Sequence, residues 1–333
     1  MYKIGSFNLM NFSGESGKKR DDEKASKHFA EIIKKEKFDI ITLQEIRTPG
    51  ALASIIKNLG SEYDGIHSTT LKNEVNASCF NPSDEYAFVW KKEKISFVND
   101  PQFYRKLYEK VSSSWESYFS FQINEMANNP DSVDEETKKI IPSCIDLHSI
   151  EELSKFMRQL IRPPLICAFR PSGFWKNLFW ELMIINTHVL FGKCSLTGSR
   201  LEELSLIKGK LHTSVNTMRT GDFRSVYTLI AGDYNLNISL ANSIGKNASW
   251  ENHNMLTVQA NKTTLKQTDP MMESVKAQSA EDRYYSENYD HFSYDANRVS
   301  GIARNVQRIG FENFEVHRNE ISDHVPISLE VNI

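Results

Sequence analysis

Apolar and polar residues alternate from Tyr2 to Leu9, the period-two pattern of a half-buried strand. A polar, basic loop over residues 14–22 follows, and then Phe29, Ile32 and Ile33 recur at helical spacing. Residues 38–43 form an unbroken apolar run, as in a strand covered on both faces, and the run stops at Gln44-Glu45. Thr48 and Pro49 suit the N-cap and first turn of a second helix reaching Leu59. Short strands are expected over residues 86–90 and 95–98, either side of a Lys-rich turn.

From Asp100 to Ile161 helical spacing takes over, with Ser149 and Glu152 placed as a capping box ahead of Leu153, Phe156, Met157 and Leu160. Residues 100–160 carry 11 acidic and 7 basic side chains, a local balance of −4, and strands resume directly beyond them. The segment therefore reads as a helical insertion at about 100–161 within one domain spanning 1–333. Residues 165–169 and 180–187 are strands joined by the aromatic-rich link PSGFWKNLF. Leu204, Ile207, Leu211, Val215 and Met218 then predict one long helix. A strand over 227–231 runs into GDYN. Residues 237–288 are polar and poorly patterned, and short strands close the chain near 289–294 and at 327–331. Strands interleaved with a few amphipathic helices predict an α/β layered sandwich.

Composition narrows the partners. The 333 residues are 40% hydrophobic and 25% charged, ordinary for a globular enzyme, with net charge −3 and pI near 6.3. No global positive field exists, so a nucleic acid would have to be held locally or through bound metal. Cys79, Cys144, Cys167 and Cys194 form no CxxC pair and suit thiols in a reducing compartment, although one disulfide stays open. The N-terminus lacks a signal-peptide pattern and no run is long enough to cross a membrane, so the expectation is a cytoplasmic chain without stable membrane insertion.

One regularity carries chemistry. Several expected strands end in residues suited to metal or phosphate: Asn8 after IGSF, Glu45 after IITLQ, His188 after MIINT, Asp233 and Asn235 after TLIAG, Asp290 in ENYDHF, and Asp323 with His324 in ISDHVP. Strand ends at one sheet edge converge, so these groups can share a cleft. Carboxylates and an amide oxygen are hard ligands for Mg²⁺ or Mn²⁺, and histidines can move protons or contact a phosphate oxygen. Each residue alone also has a structural reading. ISDHVP by itself is an ordinary turn into a strand.

The segments SFNLMNF, DIITLQEIR, DEYAFVWKKEKI, IRPPLICAF, LMIINTHV, LIAGDYN, YDHF and SDHVP, in that order, resemble the endonuclease/exonuclease/phosphatase superfamily, most of all its deoxyribonuclease-I-like branch. The resemblance implies a four-layer α/β/β/α sandwich of two mixed, mainly antiparallel sheets. It implies a hydrolase cutting phosphodiesters with Mg²⁺, with Mn²⁺ as a substitute and Ca²⁺ as an assisting ion. Asn8, Glu45 and Asp323 match metal positions. His324, with Asp290 as its acidic partner, matches the histidine at the scissile phosphate. Asp233 and Asn235 match the pair that orients water and binds the phosphoryl oxygen. His188 matches the second histidine, for which Asp84 aligns best as carboxylate partner and Glu85 is the neighbouring candidate. Tyr86 falls on an active-site tyrosine, and Arg47 and Arg162 match arginines near the substrate backbone.

The chain departs from that branch at Met10, where a basic residue is expected, and between Ile66 and Asp84, where no basic minor-groove loop appears. The branch's disulfides have no counterpart, and the acidic insertion is extra: a packed decoration, a lid or a partner-binding surface. The expectation is a monomeric DNA endonuclease. Alternatives are a phosphatase or phosphodiesterase acting on a phospholipid head group or inositol phosphate, with PSGFWKNLF as a membrane-touching tip, and a non-catalytic binding protein of the same fold.

Overall fold

The computed structural model describes residues 1–14, 21–75, 86–129, 145–146, 148–154, 163–173, 180–189, 197–218, 224–243, 255–259, 261–266, 284–299 and 301–333. Numbered along the chain, the strands make two six-stranded sheets. The first has the order Ala303–Arg308 (β11), Ile327–Val331 (β12), Tyr2–Phe12 (β1), Ile40–Ile46 (β2), Tyr86–Lys91 (β4) and Tyr63–His67 (β3). The second has the order Ile95–Phe97 (β5), Leu165–Pro171 (β6), Trp180–His188 (β7), Ser225–Asp233 (β8), Asp290–Asp295 (β10) and Met255–Val258 (β9). Each sheet has a parallel pair at its centre, β1–β2 and β7–β8, and antiparallel pairs elsewhere. The expected architecture, two mixed sheets flanked by helices, is the one found.

Alternation sorts the strand residues between two cores. Tyr2 and Ile4 of β1 and Ile40 of β2 join the large core shared with β6 and β7, where Tyr2 meets Trp180 edge-on at 5.0 Å. Phe7, Leu9, Ile41 and Leu43 belong instead to the core beneath helix α1 (Asp22–Glu36) and helix α2 (Pro49–Leu59). Both helices start as composed: Asp21 caps α1, and Thr48 Oγ1 accepts the Ala51 N–H ahead of α2 at 3.0 Å. Helix α3 (Ser68–Val75) follows β3.

The segment expected to be helical opens with helix α4 (Pro101–Asn128), which buries Phe103, Tyr104, Leu107, Tyr108 and Trp115. β5 pairs β6 only over residues 169–171, so the rest of that edge of β6 needs other partners. Tyr104 Oη accepts from the Ala168 N–H at 3.0 Å, while Tyr108 Oη donates to Ile166 O at 3.0 Å and accepts from the Ile166 N–H at 3.2 Å. Two phenols thus stand in for a neighbouring strand.

Several expectations are corrected. The capping box closes differently: Ser149 Oγ accepts the Glu152 N–H, but the Glu152 carboxylate takes the Asp146 N–H rather than that of Ser149. The single long helix is helix α5 (Thr197–Leu206), a π-helical turn at Ile207–Leu211, and a short helix at His212–Asn216. The wide turn carries a buried lysine, Lys208, whose Nζ donates to Ala241 O at 2.7 Å and Thr257 Oγ1 at 3.1 Å. Burial pushes its pKa down to about 8. The poorly patterned stretch contains a helix at Ile238–Ser243 as well as β9. β3 and β11 are strands with no clear period-two signal; β11 is an edge strand of largely exposed residues. Asp84, Glu85, Arg162, the link residues 174–179 and Cys79, Cys144 and Cys194 lie outside the described residues. Among those described, no helix is long and apolar enough to cross a membrane.

Candidate functional site

Cross-strand register assembles the centre of the site. On the second sheet His188 pairs with Asp233, and Asp233 pairs with Asp290, so three candidate side chains form one row across β7, β8 and β10. On the first sheet Asn8 pairs with Gln44, the residue before Glu45. Between the two lies a buried polar floor. Gln44 Nε2 donates to Asn186 Oδ1 at 2.7 Å, and Asn186 Nδ2 donates to Leu43 O at 3.0 Å and Ala87 O at 3.1 Å. These bonds tie β7 to β2 and β4 immediately beneath His188 and Glu45.

The backbone leaves regular geometry where the side chains must turn inward. Residues 41 and 43 face the helix-covered core, so strict alternation would send Glu45 there too. Glu45 instead has φ +57°, and its carboxylate reaches Asn8. Met10 (φ +51°) and Asn11 (φ +55°) make a bulge that shifts the β1–β2 register between Asn8 and Phe12. Asn235 has φ +48°. Each left-handed non-glycine costs about 1–3 kcal/mol and collects at functional sites. Gly232, just before Asp233, has φ +151°, and a Cβ there would lie 1.8 Å from Thr187 O. Only glycine lets β8 come this close to β7.

Asp233 sits at the centre. Its Oδ1 accepts the Asn235 N–H at 2.9 Å, and its Oδ2 accepts Asn8 Nδ2 at 3.1 Å. The same Oδ2 lies 3.6 Å from His188 Nε2 and 3.6 Å from His324 Nε2. Asn8 Nδ2 also donates to Glu45 Oε1 at 3.2 Å, and the Asn11 N–H reaches Glu45 Oε2 at 2.8 Å. His188 Nδ1 lies 3.7 Å from Glu45 Oε1. His324 Nδ1 meets Asp290 Oδ2 at 2.7 Å. Burial alone would lower the His324 pKa, but the Asp290, Asp233 and Asp323 carboxylates outweigh it and hold the imidazole well above its ordinary value. The protonated form of His324 is thereby favoured, and its Nε2 faces Asp233.

A cavity of about 570 Å³ opens onto these groups. Of the expected residues, Glu45, His188, Asp233, Asn235, Asp323 and His324 line it. Asp290 is fully buried behind His324. Asn8 turns its amide nitrogen, not its oxygen, toward Glu45 and Asp233, while its oxygen accepts the Met10 N–H. Asn235 donates its side-chain amide to Val189 O at 2.8 Å. Tyr86 is buried, and its hydroxyl accepts the His188 N–H at 3.1 Å, so it touches the site through that backbone. Arg47 donates to Asn11 Oδ1 on the bulge and is not among the lining residues.

Sequence reasoning missed one wall altogether. Residues 263–266 and 284–287 form a short ribbon, bonded by Ser286 N–H to Thr264 O and Lys266 N–H to Tyr284 O. The ribbon continues into the ISDHVP turn, since Leu265 N–H donates to Asp323 O at 2.7 Å and Thr264 bridges His324. It brings Thr264, Leu265, Lys266, Ser286 and the Glu287 carboxylate to the cavity, which Tyr289, Met10 and Arg318 also line. Tyr289 was within reach as the first residue of the YDHF motif; Lys266 and Arg318 carried no pattern.

The donor set suits a hard cation. Glu45 and Asp323 present carboxylates to the cavity, with Glu45 pinned from both sides by amide donors. Asp233, Asp290 and His324 also bring one donor atom each within 4.8 Å of one another. The 2.7 Å contact of His324 with Asp290 accounts for that clustering as a hydrogen-bonded ion pair, which leaves Nδ1 no lone pair for a metal.

No family model and no curated protein matches the sequence. Solved structures do match the fold. Among them is D. rerio TDP2 complexed with single-strand DNA product, with 11% identity, TM-score 0.54, and 100% of this chain and 99% of that chain covered. The mannosyl-6-phosphatase of Bacteroides thetaiotaomicron matches at 15% identity and TM-score 0.52, with both chains covered completely. An endonuclease/exonuclease/phosphatase family protein from the same organism matches at 14% identity and TM-score 0.51, covering 100% and 98%. The fold is thus the one shared by these structures.

Proposed function

We propose that this chain is a divalent-metal-dependent phosphodiesterase whose substrate is DNA. One observation carries the reading: Asp233 Oδ2 stands between two histidine Nε2 atoms at 3.6 Å each, with its other oxygen locked by the Asn235 amide. A carboxylate held in that way can take a proton from an attacking water without changing its own position. His324, charged and backed by Asp290, supplies a cationic N–H to a phosphoryl oxygen and stabilises charge as it develops. His188, its backbone fastened to Tyr86, sits against Asp233 and Glu45 and orients the water.

Glu45 and Asp323 would hold the cation, Mg²⁺ or Mn²⁺, while Asn8 fixes Glu45 relative to Asp233. Bound there, the ion supplies neutralisation of the phosphate's negative charge. The fold neighbour crystallised with single-strand DNA product supports DNA as the polymer, and the mannosyl-6-phosphatase neighbour supports phosphoester chemistry in general on this fold.

A substrate panel tests the reading: plasmid DNA, single-stranded DNA, RNA, abasic duplex, sphingomyelin, inositol phosphates and mannose 6-phosphate, each with Mg²⁺, Mn²⁺ or EDTA. Metal-dependent cleavage of a DNA substrate is expected. Turnover confined to the lipids or to the monoesters would reassign the substrate, and turnover undiminished in EDTA would remove the metal.

A further inference from the structure

The cavity contains two cations that the chemistry above does not use. Arg318, a half-buried residue, lies on the π-helical turn His317–Ile321, and its guanidinium makes only weak contacts with neutral acceptors. Nε donates to Lys266 O at 3.3 Å and Nη1 to Met10 Sδ at 3.6 Å. Lys266 lines the same wall. Among the described residues, no carboxylate lies within ion-pair distance of either side chain. A partly desolvated guanidinium ordinarily sits against a carboxylate or a phosphate, because it offers a planar fork of donors and no acceptor. Here most of that fork is unused.

Arg318 is also held in fixed relation to the reacting groups. Its neighbour His317 is buried, and His317 Nε2 contacts the His324 carbonyl at 2.7 Å. Ser322 closes the same turn: its N–H donates to His317 O at 2.8 Å and its hydroxyl to Asn8 O at 2.7 Å. Lys266 is tied in from the other side through the ribbon that bonds Asp323 and bridges His324. Single π turns inside helices cost regular hydrogen bonding and recur at functional sites. The two cations therefore neighbour each other in the lining of a cleft that also holds Glu45, Asp233 and Asp323, each anchored to the backbone of the ISDHVP turn.

We propose that Arg318 and Lys266 form a second anion subsite, which takes the substrate phosphate adjacent to the scissile one. The proposal rests on the phosphodiesterase reading and deepens it: the enzyme selects substrates with two neighbouring phosphates over those with one. Arg318 grips the second phosphate bidentately and Lys266 adds a point charge. Neither takes part in bond breaking.

The test compares the thymidine dinucleotide with and without a 5′-phosphate. Wild type should show a kcat/KM ratio of about tenfold or more in favour of the 5′-phosphorylated form, the size of one charge-assisted hydrogen-bonded pair. In Arg318→Met, which keeps the packing of the stem, the ratio should fall to within about twofold of one through KM. Arg318→Lys should lie between, and Lys266→Met should reduce the ratio less than Arg318→Met. A ratio unchanged in Arg318→Met, or a wild-type ratio near one, would overturn the subsite. Glucose 1,6-bisphosphate against glucose 6-phosphate makes a parallel pair: an Arg318-dependent preference there and not among the dinucleotides would overturn the nucleotide assignment. Binding of the 5′-phosphorylated dinucleotide in EDTA separates the two levels of inference. If wild type cleaves neither dinucleotide, the phosphodiesterase reading fails; about tenfold weaker binding by Arg318→Met would still establish the subsite, and equal binding would remove it.

Discussion

Replacing Asn186 by leucine removes three hydrogen bonds from the floor of the cleft with little change in volume. They are the bond from Gln44 at 2.7 Å and the two to Leu43 O and Ala87 O at 3.0 and 3.1 Å. At about 1 kcal/mol each, net of solvation, the loss is about 3 kcal/mol. Over a chain of 333 residues that corresponds to a melting-temperature fall of about 4 °C. Gln44→Leu should cost about as much, since Gln44 Nε2 also donates to Ser6 Oγ and Thr42 Oγ1 and Asn186 Oδ1 would be left unpaired. The double variant should lose about 1 kcal/mol less than the two single losses together, because the shared bond is counted in each. Urea melts followed by circular dichroism measure all three. A single loss below about 1 kcal/mol, or strict additivity, would refute the view that these amides fasten one sheet to the other.

Other consequences follow from single residues. Gly232→Ala should destabilise by more than about 3 kcal/mol or yield no soluble protein, because its Cβ would fall on Thr187 O; a melt within 1 °C of wild type would contradict this. Burial first, with the nearby His28 and His324 charges opposing protonation, lowers the His317 pKa to about 4 from 6.5. The unfolded chain then binds more protons, so this contribution is complete above pH 6.5 and is lost as pH falls toward 4, about 3 kcal/mol in all. Stability measured against pH should be flatter by that amount in His317→Asn; parallel curves would refute it. Glu45→Gln should weaken activation by Mg²⁺ at least tenfold in titrations of activity against metal. An unchanged metal midpoint would take Glu45 out of the cation site.

Much of the candidate site was legible because strand ends announce themselves. His188, Asp233 and Asp290 each follow or open an apolar run, and register alone then aligns them in a row. Glu45 shows where such reading stops. Counting by twos from Ile41 and Leu43 points it at the helices, and only a left-handed backbone, which leaves no mark on hydropathy, turns it into the cleft. The wall carrying Lys266 was illegible for a different reason. Its ribbon pairs residues 263–266 with 284–287 and then with the ISDHVP turn, so its stabilising contacts are distant in sequence and rest on a small cluster of Leu265, Tyr285 and Val325. The π turn at Ile207–Leu211 keeps two buried apolar residues four apart, Ile207 and Leu211, so its spacing reads as continuous α-helix. The turn at ISDHVP is real, and it is held from both sides to present His324.

The most direct test is cleavage of a single-stranded oligonucleotide by wild type, Asp233→Asn and His324→Ala in parallel, with Mg²⁺ and with EDTA, after melting curves establish that all three are folded. Metal-dependent cleavage by wild type and a fall of at least about 10³-fold in both variants is expected, from loss of a general base and of a charged donor to the phosphate. Variants that cleave as fast as wild type would contradict the roles assigned to Asp233 and His324.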